Sequence, residues 1–248
     1  MTFFSIIIPC FNAEELIDAT LNSISLQTCD DLEVILVDGG SNDNTLEVAS
    51  NYKQIIGYQI SEPDNGIYDA INKGIAVSNG TYILVLGAGD KLHSPDILEF
   101  VKTKIVHREP KIYFGNVQYE NIENKLVPTI HHSSFDWKID FKNTLNQQGV
   151  FYHRSLFPEY LFIPHYHILG DYQVHLRLKK ANVYAESTNR IIAICDAGGI
   201  SKNFRWSLYS QELEIKRNTQ SIGMFLLNGL WVPTKFLLKN LFKKRSRD

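Results

Sequence analysis

The sequence lacks the marks of several common protein classes. Its three cysteines, Cys10, Cys29 and Cys195, are an odd and scattered set with no metal-ligand spacing, and a reducing cytosol is their simplest setting. Charge of neither sign dominates: 25 Lys and Arg against 27 Asp and Glu leave a net −2, which argues against a general nucleic-acid binder. No apolar run is long enough to span a bilayer. The opening MTFFSIIIPCFN has no basic region ahead of its apolar stretch, so no signal peptide is expected. G-x-G-x-x-G and the P-loop pattern are both missing, so the usual dinucleotide and P-loop readings fail. The His131-His132 and His165/His167 pairs have neither Cys nor an H-E-x-x-H context and read as surface histidines. There is no internal repeat or low-complexity tract.

What is present is a core. Hydrophobic residues make up 44% of 248, enough for one large domain or two small ones. Phe3 to Pro9 is a continuous apolar run, as in a strand buried on both faces. Apolar residues at helical spacing follow from Asn12, a candidate N-cap, to Gln27. Strands are expected at Leu32–Val37, Tyr58–Ser61 and Tyr82–Leu86, with helices at Asn44–Lys53, Gly66–Ser78 and Pro95–Lys104. That alternation over about the first hundred residues is the signature of a mostly parallel α/β sheet. Beyond Pro110 the pattern suggests a hairpin (Lys111–Glu120 with Lys125–Thr129), a loop (Ser133–Thr144), a short strand at Val150–Tyr152, a helix at Asp171–Lys180 and a strand at Arg190–Cys195. Trp206–Thr219 reads as a charged helix. Ser221–Phe242 carries apolar blocks with interleaved lysines and reads as a helix pair broken at Pro233.

Ligands of open α/β sheets bind outside the carboxyl ends of the strands. Here those ends carry Pro9-Cys-Phe-Asn12, Asp38, Glu62-Pro-Asp64 and Gly87-Ala-Gly-Asp90. Any one of them is an ordinary polar turn; all four together point to one shared site. An Asp can accept from a base N–H, an aromatic can stack on a nucleobase, and an Asp on a neighbouring strand can hold a divalent cation against a pyrophosphate. That set suits a nucleotide-sugar better than a simple phosphate ester.

The stretches SIIIPCFNAEELIDATLNSISLQ, LEVILVDGGSNDNT, EPDNGIYDAINKGIAVSNGTYILVLGAGD and NQQGVFYHRSLF…ILGDYQVHLRL together resemble the family-two glycosyltransferases of the GT-A fold, over roughly residues 3–201. The nearest likeness is to bacterial enzymes of O-antigen, capsule or exopolysaccharide assembly. The resemblance implies a Rossmann-like, mostly parallel central sheet with helices on both faces, a small antiparallel element and C-terminal helices. It implies a nucleotide-sugar-binding half at 1–105, an acceptor half at 106–205 and a helical tail at 206–248. Pro9, Phe11, Asn12 and Glu14 would line the nucleotide pocket, with Phe11 where Tyr is usual. Asp38 would hydrogen-bond the base, from a DGGS that replaces the commoner DDGS. Asp64 would lie beside the base or ribose and Asn72 near the diphosphate. Lys73 either supplies the positive charge lost where Ile71 replaces the usual Arg, or faces solvent. Ala88, Gly89 and Asp90 match the DXD-type motif. Two of its polar positions are glycine, Gly87 and Gly89, so Asp90 alone would contact the Mg²⁺ or Mn²⁺ cofactor.

In the acceptor half the resemblance makes Asp171 the base that takes the acceptor's proton in a single, inverting displacement, transferring a hexosyl or N-acetylhexosaminyl group; N-capping the following helix is its structural alternative. Gln148, His153 and Ser201 would lie near the acceptor or diphosphate. A UDP-sugar is the commonest donor and a lipid-linked or oligosaccharide acceptor the expected partner. The apolar, Lys-rich tail would rest on the inner face of the plasma membrane, or pack on the enzyme itself. Two rival readings stay open. One is a nucleotidyltransferase-like enzyme, which PCFNAEE does not favour; the other is a catalytically impaired sugar-nucleotide-binding relative, suggested by the glycine-substituted motif.

Overall fold

Continuous apolar strands arise where both faces of a sheet are covered, and β1 (Phe4–Cys10) shows how. Its Ile6 and Ile8 enter one core, and Ile7 the core on the opposite face. β2 (Leu32–Asp38) alternates the same way, with Val34 and Leu36 against Ile35 and Val37, as does β4 (Tyr82–Val85), with Leu84 against Ile83 and Val85. Helices α1 (Ile17–Ser25), α2 (Thr45–Ala49) and α4 (Ile97–Ile105) cover the first face. Helices α3 (Ile67–Val77) and α5 (Gly170–Lys180) cover the second. Gly74 lets α3 sit directly on β1, because a side chain there would begin 2.5 Å from Ile7 Cγ2.

The computed structural model describes residues 2–122, 127–198 and 205–245. Among them one sheet runs in the order β3-β2-β1-β4-β8-β6-β9-β5, with β7 paired to β6. β3 (Ile56–Ser61), β2, β1 and β4 are parallel. β8 (Val150–His153) runs antiparallel to both β4 and β6 (Ile112–Glu120). β9 (Ala185–Asp196) returns parallel to β6, β5 (Lys91–Leu92) pairs antiparallel to β9, and β7 (Ile130–His131) antiparallel to β6. The chain steps outward from β1 to β3, then crosses back to place β4 on the other side of β1. The strand order therefore reverses beside β1, and the crevice beyond the carboxyl ends opens there.

Three sequence expectations change. Asn12 is not an N-cap: its φ is +47° and α1 begins only at Ile17. Asp171 does not cap α5 either; it lies inside the first turn, behind Leu169 at the cap. Residues 222–245 form a single helix, α7 (Ile222–Arg245), which includes Pro233. A proline in a helix interior removes a hydrogen bond, but contacts to α6 (Trp206–Thr219) hold both sides of it. Val232 and Asn228 are fully buried, and Phe236 packs edge-on against Trp206 and Tyr209.

His175 on α5 gives the fold a measurable pH dependence. It is fully buried, and burial pushes its pKa down to about 3 from 6.5. Below pH 6.5 the unfolded chain takes a proton that the folded one refuses, so stability falls as pH drops from about 6.5 towards 3, by up to about 1.4 kcal/mol per pH unit. Asp90 and Asp140, whose carboxyls burial raises, offset part of this. Unfolding free energy is expected to fall by about 2 kcal/mol between pH 7 and pH 5. Urea titrations at both pH values check it, and His175→Gln should flatten the difference.

Candidate functional site

The crevice is built first from the loops after β1 and β2, which are stitched to each other. The Asn12 N–H donates to Ser41 Oγ (2.7 Å), and Asn12 Oδ1 accepts from the Asn42 N–H (2.9 Å). Glu14 Oε2 accepts from the Asn44 N–H (2.9 Å), and the Glu14 N–H donates to Asp43 (3.1 Å). Asn12 and Glu14 thus tie the two loops together, and Pro9 is buried beneath them. The Phe11 ring is 59% exposed.

Asp38 turns inward. Its side chain is fully buried and accepts from the Ser41 N–H and hydroxyl, the Gly40 N–H and the Ser61 hydroxyl. The expected hydrogen bond from Asp38 to a base therefore gives way to a bracing role, because its lone pairs serve its own loop. The next position, Gly39, lies against Asp64 and the Phe11 ring. A side chain there would begin 2.6 Å from Asp64 Oδ2 and 3.4 Å from the Phe11 ring, so Asp64 fills the space that the glycine leaves. Asp64 is itself fixed by the Gly66 N–H (2.8 Å). This end of the crevice is acidic: burial, then the charges of Asp38, Asp43 and Asp64, push the Cys10 thiol up to about 12. Cys10 is therefore inert rather than nucleophilic.

The turn after β4 closes on Asp90. Gly89 has φ +99°, a conformation costly for any side-chain-bearing residue. Its N–H donates to Thr20 Oγ1 of α1 (2.8 Å). The Gly87 N–H donates to Asp90 Oδ2 (3.1 Å), and Gln148 Nε2 donates to the same oxygen (2.8 Å). Burial raises the Asp90 pKa, against hydrogen bonds from Gln148, the Cys195 thiol and Gly87 that lower it; the charge of Asp196 adds to the rise. Half-buried Ala88 packs on the first core.

Asp171 faces this crevice from α5. Asn143 Nδ2 donates to Asp171 Oδ2 (2.8 Å), and the Tyr68 hydroxyl lies 3.4 Å from Oδ1. Gly170 makes room for Tyr68, whose ring lies 2.7 Å from where a side chain would begin. Asp90 and Asp171 both act on the Tyr119 hydroxyl, which accepts from Asn146 Nδ2 (2.6 Å). A single stretch, Asn143 to Gln148, therefore holds both carboxylates, Asp171 at its start and Asp90 at its end.

Other expected residues are placed differently. Asn72 makes both of its hydrogen bonds with the Phe162 backbone (2.7 and 3.1 Å), which ties α3 to the segment before α5. Lys73 binds Glu62 (2.8 Å), the Pro63 carbonyl (3.1 Å) and Asp69 (3.7 Å), and steadies the loop that carries Asp64. His153 pairs with Tyr82, the first residue of β4, so it lies at the opposite end of the sheet from Asp90 and does not join the site. Ser201 is outside the described residues. The sequence reading missed Asn143, Asn146, Tyr68, Tyr119, Thr20 and Gly39; the run of amides in Asn143-Thr-Leu-Asn-Gln-Gln148 was the available signal.

Among the described residues no group of three or more His, Cys, Asp or Glu side chains could enclose a metal ion. Asp90 would give a divalent cation one carboxylate. That donor set fits a hard ion completed by diphosphate oxygens and water, and does not fit an all-protein cage.

Residues 5–161 match the family described as Glycosyl transferase family 2. The chain is 35% identical over 189 residues to a PGL/p-HBAD biosynthesis glycosyltransferase of Mycobacterium bovis, covering 70% of this chain and 68% of that one. Among solved structures it is similar to S. aureus TarS, with TM-score 0.70 and 18% identity over 86% of this chain; it spans only 39% of that protein. It is also similar to the mannosyltransferase PcManGT from Pyrobaculum calidifontis in complex with GDP-Man and Mn²⁺, with TM-score 0.65 and 16% identity, covering 97% of this chain and 71% of that one.

Proposed function

Since this chain belongs to glycosyltransferase family 2, and is a GT-A glycosyltransferase using a nucleotide-sugar donor, we propose that it is an inverting enzyme that extends a lipid-linked saccharide. The observation that carries this reading is the pairing of Asp90 and Asp171 across one crevice by the Asn143–Gln148 segment. Phe11 offers a face for the base to stack on, and Asp64, in the space left by Gly39, offers an acceptor for a base or ribose donor. Asp90 would hold Mg²⁺ or Mn²⁺, which when bound neutralises charge on the leaving diphosphate. Asp171 takes the proton of the acceptor hydroxyl as that oxygen bonds to the anomeric carbon and the carbon–diphosphate oxygen bond breaks. Attack from the face opposite the leaving group inverts the centre.

A UDP-sugar is the favoured donor. In support, S. aureus TarS 1-349, with TM-score 0.70 and 18% identity, is known in complex with UDP-GlcNAc. A panel of UDP-, GDP- and dTDP-sugars with and without Mn²⁺, read by nucleoside diphosphate release, tests this. Cation-dependent release from UDP-sugars is expected; no release from any donor, with cation present and a bacterial lipid extract as acceptor, would sink the reading. Because Asp90 is the lone carboxylate for the cation, Mn²⁺ without nucleotide should bind weakly, and UDP should tighten it at least about tenfold by calorimetry.

The acceptor reading rests on α7. One face packs on α6; the other exposes Ile222 (81%), Leu226, Leu227, Leu230 (77%) and Trp231. No helix among the described residues is long and apolar enough to cross a membrane. An apolar stripe followed by Lys239, Lys243, Lys244 and Arg245 in sequence suits contact with an anionic bilayer surface at the inner face of the plasma membrane. Co-sedimentation should be clear with vesicles containing phosphatidylglycerol, weaker with phosphatidylcholine alone, and lost in an Ile222→Glu/Leu230→Glu variant. Equal partitioning of that variant would remove the membrane from the reading.

A further inference from the structure

A buried chain of side chains runs behind Asp171. The Tyr152 hydroxyl lies 2.6 Å from His175 Nε2, and the two rings stack at 6.0 Å with 10° between planes. His175 Nδ1 lies 3.4 Å from Asn143 Oδ1, and Asn143 Nδ2 donates to Asp171 Oδ2 at 2.8 Å. Asp171 and His175 are one helical turn apart on α5, so the chain closes a loop from the helix through Asn143 and back. Neither His175 nor Tyr152 reaches solvent, since both are fully buried.

The direction of every hydrogen bond follows from the first. Tyr152 keeps its proton, because burial and then the charge of Asp171 hold its pKa well above the usual phenol value. Its hydroxyl must spend that proton, and His175 Nε2 is the acceptor beside it. Nε2 is therefore unprotonated. The neutral ring, whose pKa burial lowers to about 3, then carries its hydrogen on Nδ1. Nδ1–H faces the Asn143 carbonyl oxygen, which leaves the Asn143 NH₂ for Asp171. Were the ring reversed in tautomer, the Tyr152 proton would be buried without a partner, and the amide would present its oxygen to a carboxylate.

We propose that Asn143 and His175 are positioning residues for Asp171, with Tyr152 setting the tautomer that orients the whole chain. This rests on the reading of Asp171 as the base. The chain fixes the orientation of the carboxylate through the Asn143 N–H on Oδ2. Neither residue touches substrate.

Two measurements on the full-length protein test it. In ¹⁵N-histidine-labelled protein, His175 is expected as the neutral tautomer with hydrogen on Nδ1, unchanged from pH 8 to pH 5. The Nε2-protonated tautomer would overturn the chain. Turnover is then read as nucleoside diphosphate release from a mixture of UDP-, GDP- and dTDP-sugars with Mn²⁺ and a bacterial lipid extract. Asn143→Leu and His175→Leu should each lower kcat by about 10- to 100-fold with donor KM unchanged. His175→Gln, which can still accept from Tyr152 and donate to Asn143, should stay within a few-fold of the parent. If His175→Leu does not fold, half-buried Asn143→Leu decides. An inactive Asp171→Asn enzyme beside fully active Asn143→Leu and His175→Leu enzymes overturns this proposal alone; a fully active Asp171→Asn enzyme overturns the base assignment beneath it.

Discussion

Replacing Asp171 with asparagine is expected to lower kcat by about 10²- to 10⁴-fold, the usual worth of a positioned general base, with nucleotide affinity unchanged. The substitution keeps shape and removes only the ability to take a proton. Asp171 lies in the first turn of α5, where the helix amides favour its charge, so the asparagine also forfeits a small stabilisation. Its hydrogen-bond partners Asn143 and Tyr68 remain in place to receive an amide. The proposed function puts nucleotide affinity at the other end of the crevice, around Phe11 and Asp64, so isothermal titration with UDP and Mn²⁺ should give the parent Kd. Loss of UDP binding in this variant would show that Asp171 supports the nucleotide pocket instead.

The second large effect lies away from the chemistry. Lys216 of α6 is fully buried, and its ammonium donates to Glu212 (2.7 Å), to Asn228 Oδ1 of α7 (2.7 Å) and to the Phe141 carbonyl (2.9 Å). Burial lowers its pKa to about 8, while Glu212 pulls it back up. Lys216→Ala leaves a buried carboxylate, an amide oxygen and a carbonyl without their shared donor. Breaking a buried pair on one side costs about 3–5 kcal/mol, and at this chain length that lowers Tm by about 10 °C. Lys235, which also binds Glu212, keeps the loss from being larger. Removing both partners, as Glu212→Leu/Lys216→Met, should recover only part of it, because the buried pair is gone but Lys235 then loses the carboxylate it binds. A single variant as stable as the parent would mean that water reaches this cluster.

The parallel half was legible in the sequence for a simple reason. Strands buried on both faces are apolar without interruption, and β1, β2 and β4 read as such. The polar residues after these strands, and after the more exposed β3, could then be grouped by topology, and the structure sets Asp64 against Gly39 after β2 and Asp90 in the turn after β4. What failed depended on direction and on partners. His153 was expected near the acceptor or diphosphate from the resemblance alone, but β8 runs antiparallel to β4, so His153 lies at the opposite edge of the sheet. Asp38 has the right place in the motif, yet its oxygens are spent on Ser41, Gly40 and Ser61, contacts that no spacing rule shows. Asn143 sat in a stretch read as plain loop; an amide acquires meaning only when the carboxylate it meets, 28 positions away, is known. Pro233 misled for a related reason, since tertiary contacts outweighed its local preference.

The Asn143–Gln148 segment bears on how this enzyme could be recombined. By sequence it lies in the expected acceptor half, but Gln148 holds Asp90, in the turn after β4 of the expected donor half. A chimaera joined near residue 105 to gain a new acceptor preference would bring in a foreign segment and entrust it with the host's Asp90. The grafted piece must therefore match its host at two side chains, or the exchange must stop short of residue 143 and resume after 148. These six residues tie the two expected halves together, well past the point where the chain changes rhythm.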